Sequence, residues 1–62
     1  MADKTLSIAE RMTIFQALVE AQDRGLAVAQ SRKGIAERFG ISEEQVRRIE
    51  REGLEGNWPP LG

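Results

Sequence analysis

Apolar residues recur at steps of three and four positions over the first third of the chain, which is the spacing of an amphipathic α-helix. They are Ile8, Met12, Phe15, Leu18 and Val19, and Gln22 closes the stripe. An S-x-x-E capping box opens this helix, because the Ser7 oxygen can accept from the Glu10 amide while the Glu10 carboxylate accepts from the Ser7 amide. Gly25 and Leu26 suit a left-handed helix end. The pattern predicts a first helix over about 7–24, with its stripe facing the core.

A second, shorter helical pattern follows. Ser31 is predicted to be its N-cap, and the helix then covers about 32–39, with inward-facing Ile35, Ala36 and Phe39. Residues 26–30, LAVAQ, fit a loop, a helical extension or a short extended piece. We place them as a connector, since a single strand would have no partner in so short a chain. Gly40 is expected to end the helix, because glycine adopts turn conformations that other residues resist.

The third helix is predicted from a second capping box. Ser42 is its N-cap, Gln45 completes the box, and the helix covers about 43–52 before it meets Gly53. Residues 54–62 are rich in turn formers and contain a Pro-Pro pair, so they predict an irregular tail.

The tail contains Trp58, which we expect to fold back over the core; the alternative is an exposed anchor for a partner protein. The helices and the tail together predict an all-α, three-helix fold with an irregular C-terminal tail. We expect residues 1–62 to form a single domain, since the chain is near the lower limit for one self-sufficient core.

Composition limits the chemistry of this chain. Of its 62 residues, 40% are hydrophobic and 31% are charged, with a formal net charge of -1, which is typical of a soluble globular protein. Cysteine and histidine are absent. Disulfides, thiolate or imidazole metal sites and nucleophile–histidine pairs are therefore excluded. We expect no enzyme activity, no metal or other cofactor and no small-molecule substrate.

The sequence gives no membrane or export signal. Its apolar runs are far shorter than the ~18–20 residues that cross a bilayer. The N-terminal MADKTLSIAERM lacks the basic and then apolar order of a signal peptide. The expectation is a cytoplasmic protein without membrane contact.

The third helix has two distinct faces. At about 100° per residue, the apolar side holds Val46, Ile49 and Gly53. The nearly opposite side holds Glu44, Arg47, Arg48 and Arg51, at i, i+3, i+4 and i+7. Negative charge at Glu43 and Glu44 suits the helix N-terminus, and Glu44 with Arg48 is an i, i+4 ion pair in the favoured order. The arginine-rich face is therefore available to something other than the core.

RKGIAERFGISEEQVRRIER, residues 32–51, resembles the twenty-residue helix-turn-helix pattern of DNA-binding proteins. Ala36 stands where a small residue lets two helices cross closely, and Gly40 stands at the turn. The inward apolar positions are filled by Ile35, Phe39, Ile41, Val46 and Ile49. The resemblance implies a helix-turn-helix over about 32–52.

Within that group, the run IAERFGISEEQVRRIEREGL is similar to region 4 of bacterial sigma factors, whose last helix reads the upstream promoter hexamer. The matching positions are Ser42, Glu44, Val46, Arg47, Ile49 and Glu50. Glu43 and Gln45 stand where that family usually has arginines. The end of the run, VRRIEREGL, also resembles MerR-type regulators, which usually place the motif at the N-terminus. Sigma region 4 is the preferred relative.

The helix-turn-helix resemblance implies which residues contact double-stranded DNA. Near the start of the recognition helix, arginine can pair with guanine and glutamate can accept from cytosine. The implied base-reading residues are Glu43, Glu44, Arg47, Arg48 and Arg51. The implied phosphate contacts are Ser31, Arg32, Lys33 and Ser42. Transcription regulation is the function that follows.

Charge keeps other functions open. Residues 31–62 carry six basic and six acidic side chains, so there is no broad electrostatic footprint for nucleic acid. One alternative is a helix-turn-helix fold used as a protein-interaction module, with RNA polymerase or another regulator as partner. Another is a role outside nucleic-acid binding, such as phage or plasmid maintenance. The apolar stripe of helix 7–24 has two possible roles. We expect it to pack in the core of its own chain, and the alternative is that it forms the interface of a homodimer.

Overall fold

Three α-helices account for most of the chain in the computed structural model, which describes residues 5–61. Helix α1 spans Ile8–Asp23, α2 spans Val28–Phe39 and α3 spans Glu43–Gly56. Each helix packs against the other two, which confirms the all-α, three-helix class. The first four residues of the N-terminal segment and the last residue of the predicted tail lie outside the described residues. Within residues 5–61, no helix has the length and apolar character needed to cross a membrane.

The capping box at the start of α1 is confirmed. The Ser7 amide donates to the Glu10 carboxylate at 3.0 Å, and the Glu10 amide donates to the Ser7 hydroxyl oxygen at 3.1 Å. At the other end, Arg24 is the C-cap and Gly25 adopts φ +91°. Both ends of α1 therefore follow from residues within one turn of each terminus, and its predicted bounds hold to within one residue.

The start of α2 corrects the sequence prediction. The helix begins at Val28 after an Ala27 N-cap, so most of the predicted connector is helical. Ser31 is not the N-cap; it lies inside the helix with only 1% of its surface exposed. Its hydroxyl donates to the Ala27 carbonyl at 2.9 Å. A serine that bonds the carbonyl four residues back is satisfied within a helix, which is why helical structure continues through this position.

Gly40 and Ser42 form the turn between α2 and α3 as predicted. Gly40 is the C-cap of α2, in the left-handed conformation with φ 67° and ψ 38°. Ser42 is the N-cap of α3, and its side-chain oxygen accepts from the Gln45 amide at 3.0 Å. Ile41 lies between them and is fully buried. The turn therefore fixes α3 to α2 through a core side chain as well as through the backbone.

The end of α3 differs from the prediction. The helix continues through Gly53 to Gly56, and Asn57 is its left-handed C-cap, so residues 54–56 are not part of an irregular tail. Gly53 is buried, and a Cβ built at this position would overlap the Phe15 ring. The glycine thus allows α1 and α3 to approach closely, and it does not end the helix.

Trp58 folds back over the core, as predicted. Its amide donates to the Gly53 carbonyl at 3.0 Å. Its ring meets the Phe15 ring edge to face, with centroids 6.0 Å apart and planes at 88°. The half-buried indole therefore covers one side of the core.

Within residues 5–61, eight apolar side chains form the core, and every helix contributes to it: Ile14, Phe15, Leu18, Ile35, Ala36, Ile41, Val46 and Ile49. The α1 stripe is confirmed at Phe15 and Leu18 but is wrong at Ile8, which is 57% exposed, and it omits Ile14. Because α1 packs against two helices, its buried arc is broader than a single stripe.

Candidate nucleic-acid interface

The exposed side of α3 brings together all of the residues that the sequence predicts to read bases. Glu43, Glu44, Arg47, Arg48 and Arg51 are each exposed. On the opposite side, Val46 and Ile49 are buried in the core. Burial of those two side chains fixes the rotation of the helix about its axis. We call the five exposed residues the α3 face.

The N-terminal end of the α3 face is capped from within the chain. Ser42 accepts from the Gln45 amide, and its own carbonyl accepts from the Val46 amide at 3.1 Å. Glu43 and Glu44 occupy the first turn, where carboxylates interact favourably with the helix dipole. Ser42 and the two glutamates therefore stabilise the start of this helix, whatever else they contact.

Glu44 and Arg48 form an ion pair along the surface of α3. The Arg48 guanidinium donates to the Glu44 carboxylate at 3.2 Å, and the two side chains are 62% and 72% exposed, Arg48 first. An exposed i, i+4 pair stabilises a helix by only about 0.3–0.5 kcal/mol. The pair itself therefore holds the two side chains together only weakly.

Arg47 and Arg51 are the least committed cations of the α3 face. Neither forms an ion pair with any residue in the range 5–61. Together they line two shallow surface clefts. The first is completed by Glu44 and Arg48; the second lies between α2 and α3 and is completed by Arg32, Glu50, Leu54 and Glu55. The two arginines thus form a ridge with a cleft on each side.

Arg32, one of the predicted phosphate contacts, is already held by a carboxylate. Its Nη2 and Nε donate to the same Glu50 oxygen at 2.6 and 3.2 Å. The other Glu50 oxygen accepts from the Gln22 amide group at 3.1 Å. Glu50 is only 16% exposed at its side chain and links all three helices. We call Gln22, Arg32 and Glu50 the polar clamp; it offsets the Arg32 charge while keeping the guanidinium at the edge of the cleft.

The sequence pattern did not predict the contacts of Glu50 with Gln22 and Arg32. It predicted only that Glu50 matches a position of the sigma pattern. Its partners are 18 and 28 positions away along the chain, so no helical spacing could reveal them. A glutamate close to the apolar side of an amphipathic helix was the only available signal.

The remaining predicted phosphate contacts lie in different environments. Lys33 is exposed on α2 and forms no ion pair with any residue in the range 5–61. The Ser31 hydroxyl, in contrast, is buried and bonded to the backbone. Among the residues predicted to contact DNA, the cations without an ion pair to any residue in 5–61 are therefore Arg47, Arg51 and Lys33, and Ser31 does not belong to the surface.

Comparison with known proteins adds no relative: no family model, curated protein sequence or solved structure gives a significant match to this chain.

Proposed function

We propose that this chain is a DNA-binding helix-turn-helix protein that acts in transcription regulation, with α3 as its recognition helix in the major groove. The observation that carries the proposal is the pair Arg47 and Arg51, exposed about one turn apart and without an ion pair among residues 5–61. Each guanidinium offers a planar fork of donors that matches the O6 and N7 acceptors of guanine.

The way α3 is anchored supports this role. A helix of about 10–12 Å diameter fits a major groove about 12 Å wide, but it reads bases only if its rotation is fixed. Val46 and Ile49 provide that fixation, since both are buried. The left-handed Gly40 and the Ser42 cap set where the helix begins. The arginine ridge is therefore directed outward before any ligand binds.

Glu44 and Arg48 would act as an exchangeable pair at the groove. Their exposed ion pair opens at little cost. Glu44 can then accept from a cytosine amino group, and Arg48 can pair with guanine or with a phosphate. In the free protein, the Glu44 carboxylate offsets the Arg48 charge, which lowers the attraction of Arg48 for DNA of any sequence. This arrangement favours sequence preference over general affinity for DNA.

The cleft between α2 and α3 would lie along the phosphate backbone. Arg51 and Arg32 both line it, and phosphate contacts fix the register of a protein on the duplex. Because Glu50 holds Arg32, Arg32 contributes an oriented donor with little net charge. Lys33, the next residue of α2, contributes a full charge. Lys33 and Arg51 would therefore contribute more to the affinity for phosphate than Arg32.

The resemblance to sigma region 4 supports a role in transcription. At the matched positions, Ser42 caps the helix, Glu44 and Arg47 are exposed, and Val46 and Ile49 are buried. These are the environments that a recognition helix of that type requires.

The charge balance favours a second function, a protein-interaction module that uses the same α3 face. Two of the six basic residues in 31–62 are offset by carboxylates, at the pairs Arg32–Glu50 and Arg48–Glu44. A surface with alternating charge suits a protein partner such as RNA polymerase or another regulator.

The test is a selection of duplexes from a random pool at low salt, followed by affinity measurements on the selected duplex and on a shuffled one. We expect Arg47→Ala to weaken binding to both duplexes. Arg47→Lys keeps the charge but loses the planar fork, so it should weaken only the selected duplex, by about ten- to hundred-fold. Glu44→Ala should weaken the selected duplex and strengthen the shuffled one.

Two results would overturn the proposal. One is that no sequence is enriched and no duplex binds at low salt. The other is that Arg47→Lys binds both duplexes as the unchanged protein does, so that only charge matters. If the α3-face variants instead weaken binding to RNA polymerase, the protein-interaction function is the correct one.

A further inference from the structure

A groove with one mostly apolar half and one more polar half runs between α1 and α2. Its lining side chains come from the N-terminal segment, α1 and α2. Thr13 and Phe39 line both of its halves, which makes it continuous. One half is completed by Leu6, Ala9, Glu10 and Ile14. The other half is completed by Gln16, Ala17, Glu20, Ala21, Arg24, Ile35 and Arg38.

Helix α1 therefore carries more apolar surface than its own core covers. Ile14 and Ile35 form the buried floor of the groove. Phe39 and Ala17 are only half-buried on its walls, and Thr13 is exposed at its middle. Burying such half-exposed apolar area against a partner is favourable, at about 25 cal/mol per Å².

Charges at the two ends of the groove have opposite signs. Glu10 lies at the end formed by the start of α1. Arg24 and Arg38 lie at the other end, together with Glu20, so that end is net positive. Glu10 and Arg24 are about four helical turns apart, or roughly 21 Å. The groove thus has a negative and a positive end on a single rigid helix.

We infer that this groove is a two-fold, antiparallel dimer interface between two copies of this chain. In a two-fold interface, residue i contacts residue j of the partner and j contacts i. Antiparallel α1 helices with Ala17 near the axis place Glu10 beside Arg24 of the partner subunit, twice. They also place Thr13 opposite Ala21 of the partner subunit. A parallel pairing would instead oppose like charges at both ends.

This interface differs from the dimer seam that the α1 stripe leaves open from sequence alone. Phe15 and Leu18 of that stripe are fully buried in the core, so they are not available to a second copy. The groove uses the neighbouring side of α1, around Thr13 and Ala17. Because its lining residues include none of the α3 face, both copies keep Arg47 and Arg51 exposed.

The test is sedimentation equilibrium of the full chain without DNA, over a range of protein concentrations. We expect a concentration-dependent monomer–dimer equilibrium. Thr13→Arg adds a long charged side chain at the middle of the groove and should leave the protein monomeric where the unchanged chain is dimeric. Thr13 is exposed, so helix content and melting temperature, followed by circular dichroism, should stay close to those of the unchanged protein. The matched control is Ala29→Arg. Ala29 is also exposed and lies on α2 outside the groove, so this variant should dimerise as the unchanged chain does.

Charge reversal tests the antiparallel geometry. Arg24→Glu should raise the dimer dissociation constant by at least about two- to thirty-fold, since two exposed ion pairs are lost at once and two contacts between carboxylates replace them. Glu10→Gln keeps a residue that completes the capping box, so it removes charge without removing the cap. It should weaken the dimer and make it less sensitive to salt.

A chain that stays monomeric at the highest concentration, or a Thr13→Arg variant that dimerises unchanged, would overturn the inference. Because no DNA is present, either result leaves the proposed function untouched.

Discussion

At the scale of single residues, two glycines of the same chain have opposite roles. Gly34 lies in the middle of α2, and a Cβ built there would meet nothing within 4 Å. Gly53 lies within α3, and the same atom would overlap the Phe15 ring. Phe15 is fully buried within the core cluster, so a shift of its ring would have to displace other core side chains. Glycine at position 34 therefore only weakens a helix, while glycine at position 53 is required by packing.

This contrast gives a matched pair of substitutions. Gly34→Ala should raise the free energy of unfolding by about 0.5–1 kcal/mol, because alanine is the better helix former. Gly53→Ala gains the same propensity, but overpacking costs about 1–3 kcal/mol, so its net effect should be a loss of stability. Urea denaturation of both variants measures the two changes. Equal gains at both positions would show that Phe15 does not pack over Gly53.

At the scale of helices, hydrogen bonds and ion pairs between polar side chains link the three helices. The polar clamp joins α1, α2 and α3 at one half-buried carboxylate, Glu50. A second pair, Arg11 with Glu52 at 2.9 Å, joins α1 to α3. Among residues 5–61 the core has eight buried apolar side chains, so these polar contacts add directional links between helices to a small core.

The polar clamp should therefore matter more than the exposed ion pair on the same helix. Glu50→Ala leaves Arg32 and Gln22 without their acceptor and should lower the free energy of unfolding by about 1–3 kcal/mol. Glu44→Ala removes an exposed partner and should change it by no more than about 0.5 kcal/mol. Urea midpoints at unchanged slope would measure both effects. If the two losses were equally small, Glu50 would not join the helices in solution.

At the scale of the whole molecule, the two candidate binding surfaces lie on different helix pairs. The described chain measures 29 × 24 × 15 Å. The α3 face and its cleft involve α2 and α3, whereas the groove involves α1 and α2. A dimer through the groove would therefore present two α3 faces. Helix-turn-helix dimers use two such faces to read half-sites about one helical turn apart.

Salt dependence tests the charge distribution of the whole molecule. Counterions are displaced by cations that neutralise phosphates. If Arg47 contacts a base while Arg51 and Lys33 contact phosphates, the logarithm of the DNA affinity should fall with the logarithm of salt concentration with a slope of about -2 per domain. If Arg32 and Arg48 also neutralised phosphates fully, the slope would be about -4. Lys33→Ala should reduce the slope by about one unit. A slope near zero would contradict DNA binding through these cations.

The sequence by itself determined the local features of this protein. The Ser7 and Ser42 caps and the left-handed Gly25 and Gly40 follow from residues within four positions of one another. The α3 face follows from helical steps of no more than four positions between neighbouring members. Helix caps and helical periodicity are short-range effects, because their hydrogen bonds and side-chain spacings close within about one turn. For that reason the number of helices, the turn at 40–42 and the exposed arginines could be predicted.

The tertiary structure decided everything that depends on contacts between helices. Ser31 could be read as a cap until its burial and its bond to Ala27 were seen. Gly53 could be read as a helix end until Phe15 was found over it. Arg32 could be read as a free cation until Glu50 was found to hold it. For Gly53 and Arg32 the deciding fact is a side chain far away in the sequence, which only the packing of the helices brings close. For Ser31 it is the burial of the position against the other helices, since its bond to Ala27 is local.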